Sequence, residues 1–205
     1  MFNQISSNLI RILSLIIGIL IISNCYAERM LPIEFKGQPT VLLKDGSITS
    51  CGIRFFGVES PINGGSIDEP LYVSDASFMV DKRNIGMVKA LIYKTSPDQM
   101  EKNVVPQSIQ FNSFWIKANG AQATVPLDGK VLDGDDKNSK LYITDIEPIF
   151  KLFLGVLSKD PINIGFKFKD NNDFAFYGKV QISEADSTQI SSCIHELGEG
   201  IGQKN

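Results

Sequence analysis

Few residues in this chain have the types and spacing to do chemistry, and each set points more to architecture than to reaction. His195 is the only histidine of 205 residues. A multi-histidine zinc site is therefore excluded, and His195-Glu196 lacks the second histidine of the metalloprotease pattern. Its position off the apolar stripe Ile190, Cys193, Ile194, Leu197 turns it towards solvent, with Glu196 beside it. There is no Gly-x-Ser-x-Gly elbow for a serine nucleophile. The glycine-rich Gly198 to Lys204 has neither the spacing of a phosphate loop nor the strand before it and helix after it.

The acidic loop Asp133 to Ser139 invites comparison with a calcium site, because hard cations collect several oxygens from one tight loop. Counting from Asp133, position 5 is Lys137, position 6 is Asn138 rather than Gly, and position 12 is Thr144 rather than Glu. It reads as a solvated turn. Glu59, Asp68, Glu69, Asp75 and Asp81 are carboxylates from which a glycosidase could draw an acid and a base, but no spacing singles out two of them. No catalytic, metal-binding or cofactor-binding residue is assigned, and the reading is of a non-enzymatic protein.

The first 27 residues have the three parts of a secretory signal peptide. Met1 to Arg11 is polar with one positive charge, Ile12 to Ile22 is apolar, and Cys25 and Ala27 are small residues at −3 and −1 before a cut ahead of Glu28. A run of eleven residues, apolar but for Ser14 and Gly18, is too short to cross a membrane, which takes about 20. A lipoprotein anchored through Cys25 is the alternative, on the pattern Ile22-Ser23-Asn24-Cys25. Residues 28–205 then form one exported domain, periplasmic or secreted. The absence of Asn-x-Ser/Thr sites favours a bacterial setting.

The full chain carries a formal net charge of −3. No basic block could neutralise a phosphate backbone, so nucleic acid is not an expected partner. After cleavage two cysteines remain, Cys51 and Cys193, each on an apolar face. In an oxidising compartment they are expected to form a disulfide. The bond would clamp a late helix, Asp186 to Leu197, onto an early strand.

That helix has Ser183 and Asp186 as a capping box and Gly198 as a stop. A second helix follows Thr144-x-x-Glu147, another capping box, and its stripe of Ile149, Phe150, Phe153, Leu154, Val156 and Leu157 is broad enough to be nearly enclosed or held between two surfaces. Gly155 within it suggests a close backbone approach.

The rest of the pattern is β. Thr40 to Leu43 and Ser47 to Phe56 form a hairpin around Asp45-Gly46, preceded by a lead-in from Glu28 to Gln38 with Pro32 and Gly37. Strands follow at Leu71 to Val80 and at Met87 to Tyr93, the latter apolar on both faces and therefore central. Ile109 to Ala118 is a strand with an irregularity at Asn112 and Ser113, and Asn119-Gly120 reads as a hairpin turn into Ala121 to Val125. Short strands at Leu127 to Leu132 and Lys140 to Ile143 precede a last hairpin of Ile162 to Lys169 and Phe174 to Ser183 with one wet face. Trp115, two residues from Lys117 on the same face, reads as half-buried packing rather than a sugar-stacking platform. The expected fold is mainly β, an antiparallel sandwich or curved sheet of about eight to ten strands with two packed helices.

The long polar loops Gly57 to Pro70 and Thr95 to Gln107 are the expected binding segments. The expected function is binding of a protein or other envelope ligand, as an accessory to an envelope assembly. A secreted glycan hydrolase and a carrier or sensor with an apolar pocket under the Ile149 to Leu157 helix are the alternatives.

Overall fold

A computed structural model describes residues 29–59, 71–96, 98–99, 102, 106–118, 130–133, 136–168 and 174–202. The segment 1–27 expected to be a signal peptide, Cys25, the loop 60–70, the run 121–125, and Asp68 and Glu69 lie outside these residues, as does most of the loop 97–105.

The chain runs β1 (Arg29–Lys44), β2 (Ser47–Glu59), β3 (Leu71–Asp81), β4 (Ile85–Thr95), β5 (Gln107–Ser108), β6 (Phe111–Ala118), β7 (Lys130–Asp133), β8 (Lys140–Asp145), α1 (Ile146–Leu157), β9 (Ile162–Phe168), β10 (Phe174–Val180) and α2 (Glu184–Gly202). The first hairpin closes through Asp45 and Gly46, with φ of 53° and 76°. Positive φ at both central residues matches the right-handed twist of paired strands, and it is what an Asp-Gly pair supplies. The β3–β4 turn uses Asp81 instead. Its carboxylate accepts the backbone N–H of Arg83 at 2.8 Å and of Ile85 at 3.2 Å, while Asn84 takes the left-handed position at φ 60°.

The strands form one curled open sheet in the order β6-β9-β10-β1-β2-β3-β4-β8-β7, with β5 added to β4. The pairings are antiparallel except that Arg29 to Pro32 of β1 lie parallel to Phe174 to Tyr177 of β10. β1 then changes partner and pairs antiparallel with β2 from Ile33 onward. It is thus the shared corner of two sheet halves, β6-β9-β10 on one side and β2-β3-β4 with β5, β7 and β8 on the other. The other end of the curl is bridged by a single stretch of chain. Residues 107–109 bond to β4, with Ile109 N–H donating to Ile92 O at 2.9 Å, and residues 111–118 then pair with β9.

Inside the curl the alternate residues of both halves meet. Tyr72 of β3 packs on Phe168 and Phe176, with ring centroids 5.8 and 4.9 Å away, while Phe78 meets Phe55 at 5.7 Å and Phe153 of α1 at 4.9 Å. Ile149, Leu152, Phe153 and Val156 face this core and are buried. Gly155 brings the α1 backbone against Ala118 at the end of β6, where a Cβ would overlap that methyl. The opposite side of α1 remains open: Phe150, Leu154 and Leu157 are exposed. Of the two arrangements expected for this helix, near-complete enclosure is overturned, because the sheet covers a single face.

α2 lies on β1 and β2 and is joined to β2 by the Cys51–Cys193 disulfide, whose residues are 142 apart in sequence. Ile190, Cys193 and Leu197 are buried and Ile194 packs beside them. Ser183 caps the helix: its hydroxyl accepts the Asp186 N–H at 3.1 Å and donates to the Asp186 carboxylate at 2.6 Å.

Three local expectations are corrected. The lead-in is a strand, in which Ile33 and Phe35 are buried and Pro32, Glu34 and Lys36 are exposed. Gly198 does not stop α2, which runs on to Gly202. A single exposed glycine costs a helix about 1 kcal/mol, too little to end it. The capping box at Thr144 does not form, because Thr144 is held in β8 opposite Gly86, and the helix starts after Asp145 without a side-chain cap. Glu147 instead pairs with Lys151, 2.8 Å away. The C-terminus of α1 is closed by Lys159, in the left-handed conformation at φ 62°, with Lys159 N–H donating to Val156 O and Asp160 N–H to Gly155 O. These two bonds make a Schellman closure.

Candidate binding face

The residues singled out for chemistry are dispersed. His195 points outward as expected, with Nε2 3.3 Å from Glu199 on the next turn, rather than from Glu196. Asp75 projects from the outer side of β3 and takes a bidentate pair of hydrogen bonds from Arg54, at 2.9 and 2.6 Å. The hydrogen bond to Asp75, reinforced by its charge, raises the Arg54 pKa. Asp81 sits six residues further along the same strand, about 20 Å away at the rise of an extended chain. Burial opposes its ionisation, but the Arg83 side chain and the two backbone N–H groups outweigh burial and hold it below the usual carboxylate range. Each of these carboxylates therefore closes a turn or an ion pair, and Asp75 and Asp81 do not converge on a reacting bond.

The described part of the acidic loop is likewise committed. Asp136 accepts the Asn138 N–H at 2.9 Å, which, with the Ser108 hydroxyl, lowers its pKa. Asn138 donates its side-chain amide to the Ser108 carbonyl and hydroxyl at 2.9 and 3.0 Å, tying the loop to β5. Among the described residues no group of three or more histidine, cysteine, aspartate or glutamate side chains is placed to hold a metal ion. No described helix is long and apolar enough to cross a membrane.

A different cluster is assembled by strand register. On the outer face of β6, β9 and β10, Trp115 lies opposite Gly165, and Gly165 lies opposite Tyr177, which pairs in turn with Pro32 of β1. Gly165 is essential to this row. A Cβ at that position would overlap the indole, so glycine lets Trp115 lie across the backbone of the central strand. The indole then meets the Tyr177 ring at a centroid distance of 5.6 Å and a tilt of 31°, as an offset, tilted aromatic pair. Tyr177 is fixed by its hydroxyl, which donates to Asn163 Oδ1 at 2.8 Å.

Around this pair the outward positions of β6 and β9 are polar or cationic, while Ala175 of β10 and Met30 of β1 continue one of the rows with apolar residues. Lys117 places Nζ 5.9 Å from the centroid of the indole, within reach of a cation–π attraction. By register Lys117, Asn163 and Lys179 form the row on one side, and Ser113 and Lys167 part of the row on the other. The outward positions of β6, β9 and β10 contain no acid; Glu34, two residues beyond Pro32 on β1, is the exposed acid at that margin. A chain of net negative charge thus carries an aromatic face bordered by lysines.

No family model matches this chain, and no curated protein or solved structure matches it.

Trp115 is half-buried, as the strand pattern predicts. What sequence reasoning missed is its neighbours. The signals available were Gly165 in the middle of an apolar strand, which suggests close approach of another group, and the outward lysines of the last hairpin.

Proposed function

We propose that this protein is a non-enzymatic binding protein of the cell envelope, exported by its N-terminal segment, that presents the outer face of β6, β9 and β10 to an envelope ligand. The observation that carries this reading is the Trp115–Gly165–Tyr177 row, an aromatic pair seated over the glycine of the central strand and partly exposed on the outer face of the sheet. Aromatic rings with few torsions give contact area at low entropic cost, which suits recognition. The binding loops expected from sequence lie largely outside the described residues, so the reading rests on the sheet face.

The alternatives draw less support. A hydrolase of glycans would need two carboxylates roughly 5 to 9.5 Å apart, whereas Asp75 and Asp81 point to separate structural tasks. A carrier would need space under α1, where Phe153 and Leu152 are packed against the sheet.

The test is retention of solubilised envelope material, comprising glycan, lipid and protein, on immobilised wild-type protein and on Trp115→Ala. A drop of at least five-fold with Trp115→Ala, at unchanged melting temperature, is the expected result. Equal retention by both would remove the basis for assigning the face.

A further inference from the structure

We infer that α2 is a redox-gated latch: reduction of the Cys51–Cys193 disulfide by a protein dithiol releases the helix and uncovers the sheet beneath it, while the sheet itself stays folded. The latch works on the inner side of the curl and does not depend on the outer aromatic face.

α2 is a weak helix in its own right. From Glu184 to Gly202 it carries four acids, Glu184, Asp186, Glu196 and Glu199, and no lysine or arginine. The first two suit the positive end of the helix dipole, whereas Glu196 and Glu199 lie near the negative end, where acids destabilise. Gly198, Gly200 and Gly202 each weaken the same end. A Cβ at Gly198 would meet open space and its φ is not positive, so no close approach or turn requires glycine there. A short helix of this composition does not persist without tertiary support, and the disulfide supplies its only covalent tie to the sheet.

The sheet does not need α2 in the same way. The helix follows β10 and adds no strand, so every strand pairing is complete without it. Its departure would uncover a defined surface. Val41, Cys51 and Val80 stand opposite one another across β1, β2 and β3, and they form an apolar row on the side where α2 is attached.

The bond is enclosed: Cys51 is fully buried and Cys193 nearly so. A reductant therefore reaches it only when α2 opens locally. A thiolate of the dithiol attacks Sγ of Cys193, the less enclosed partner, and Cys51 leaves as a thiolate that takes up a proton. The second thiol of the dithiol then attacks the mixed disulfide and releases Cys193. The products are two protein thiols and one oxidised dithiol.

Oxidised full-length exported protein is treated with dithiothreitol, and the release of Cys51 and Cys193 is timed by alkylation and peptide mass spectrometry. Hydrogen exchange and binding of anilinonaphthalene sulfonate are read on the product. The expected result is loss of protection in α2 and a rise in dye binding, with β2, β3, β4 and α1 still protected, all reversed on reoxidation. Gly198→Ala slows reduction about five-fold by strengthening the helix, and Ser183→Ala quickens it by a similar factor by removing the cap. Ile116→Val, in the buried core of β6, lowers global stability roughly three- to ten-fold and leaves the rate unchanged.

Reduction that unfolds the sheet together with α2 would make the disulfide a plain staple and overturn the latch. So would a reduced protein whose α2 stays protected. If Ile116→Val speeds reduction as much as it lowers stability, the bond opens by global unfolding and the latch falls as well.

Discussion

The two helices of this protein are held to the same sheet by different means. α1 is kept by packing: Ile149, Leu152, Phe153 and Val156 are buried against strands of both sheet halves, with Phe153 on Phe78, and the helix begins without a side-chain cap. α2 is a more polar helix whose buried residues, among those described, are Ile190, Cys193, Leu197 and Ser187, with Ile194 partly covered, and it is held by a disulfide and a capped N-terminus. An element that buries enough apolar surface needs no staple. One that buries little needs both the cap and the crosslink to stay ordered.

Phe153→Ala should have the largest effect. Removing a fully buried ring that touches Phe78 costs about 3 to 5 kcal/mol, read as a fall in the urea midpoint with the whole sheet unfolding together. Cys193→Ser comes next, at about 2 to 5 kcal/mol, with a different signature. Hydrogen-exchange protection in α2 should collapse while α1 amides open only with global unfolding. Equal loss of protection in both helices would abolish the contrast.

Ser183→Ala should cost about 1 kcal/mol by removing the cap, and in a Cys193→Ser background it should fray α2 from its start, seen as reduced helical circular dichroism. The smallest change belongs to α1. Lys159→Gly should stabilise by about 0.5 kcal/mol, because relief of the left-handed backbone, worth roughly 1 kcal/mol or more, is partly offset by the greater freedom of glycine in the unfolded chain. A loss of stability would mean that the exposed pair of Lys159 with Glu184, 3.5 Å apart, matters more than backbone relief.

What was legible in the sequence was what depends on neighbours along the chain. Asp45-Gly46 announces its turn because positive φ at two successive residues demands such a pair. The irregularity at Asn112 and Ser113 is where the β6 register to β9 slips, between Phe111 and Ser113. The inward faces of Cys51 and Cys193 follow from periods of two and 3.6, and the structure joins them. Features set by partners distant in sequence were not legible. Pro32 and Gly37 read as breaks, yet pairing with β10 and β2 carries the chain through both as one strand. The aromatic face was hidden for the same reason. Trp115 and Tyr177 become neighbours only because β9 lies between their strands and offers a glycine at the crossing point.

The double pairing of β1 also bears on how the protein reaches its native state. Its first residues join β10, the last strand of the chain, and the neighbouring strand is crosslinked to the helix after that. Neither contact can be made by a chain still lacking its C-terminal third, and pairings so distant in sequence make for slow folding. Until β10 arrives, the β10-pairing edge of β1 is open to any other strand. Of all the described strands, β1 is therefore the one whose protection during folding decides between the native state and aggregation.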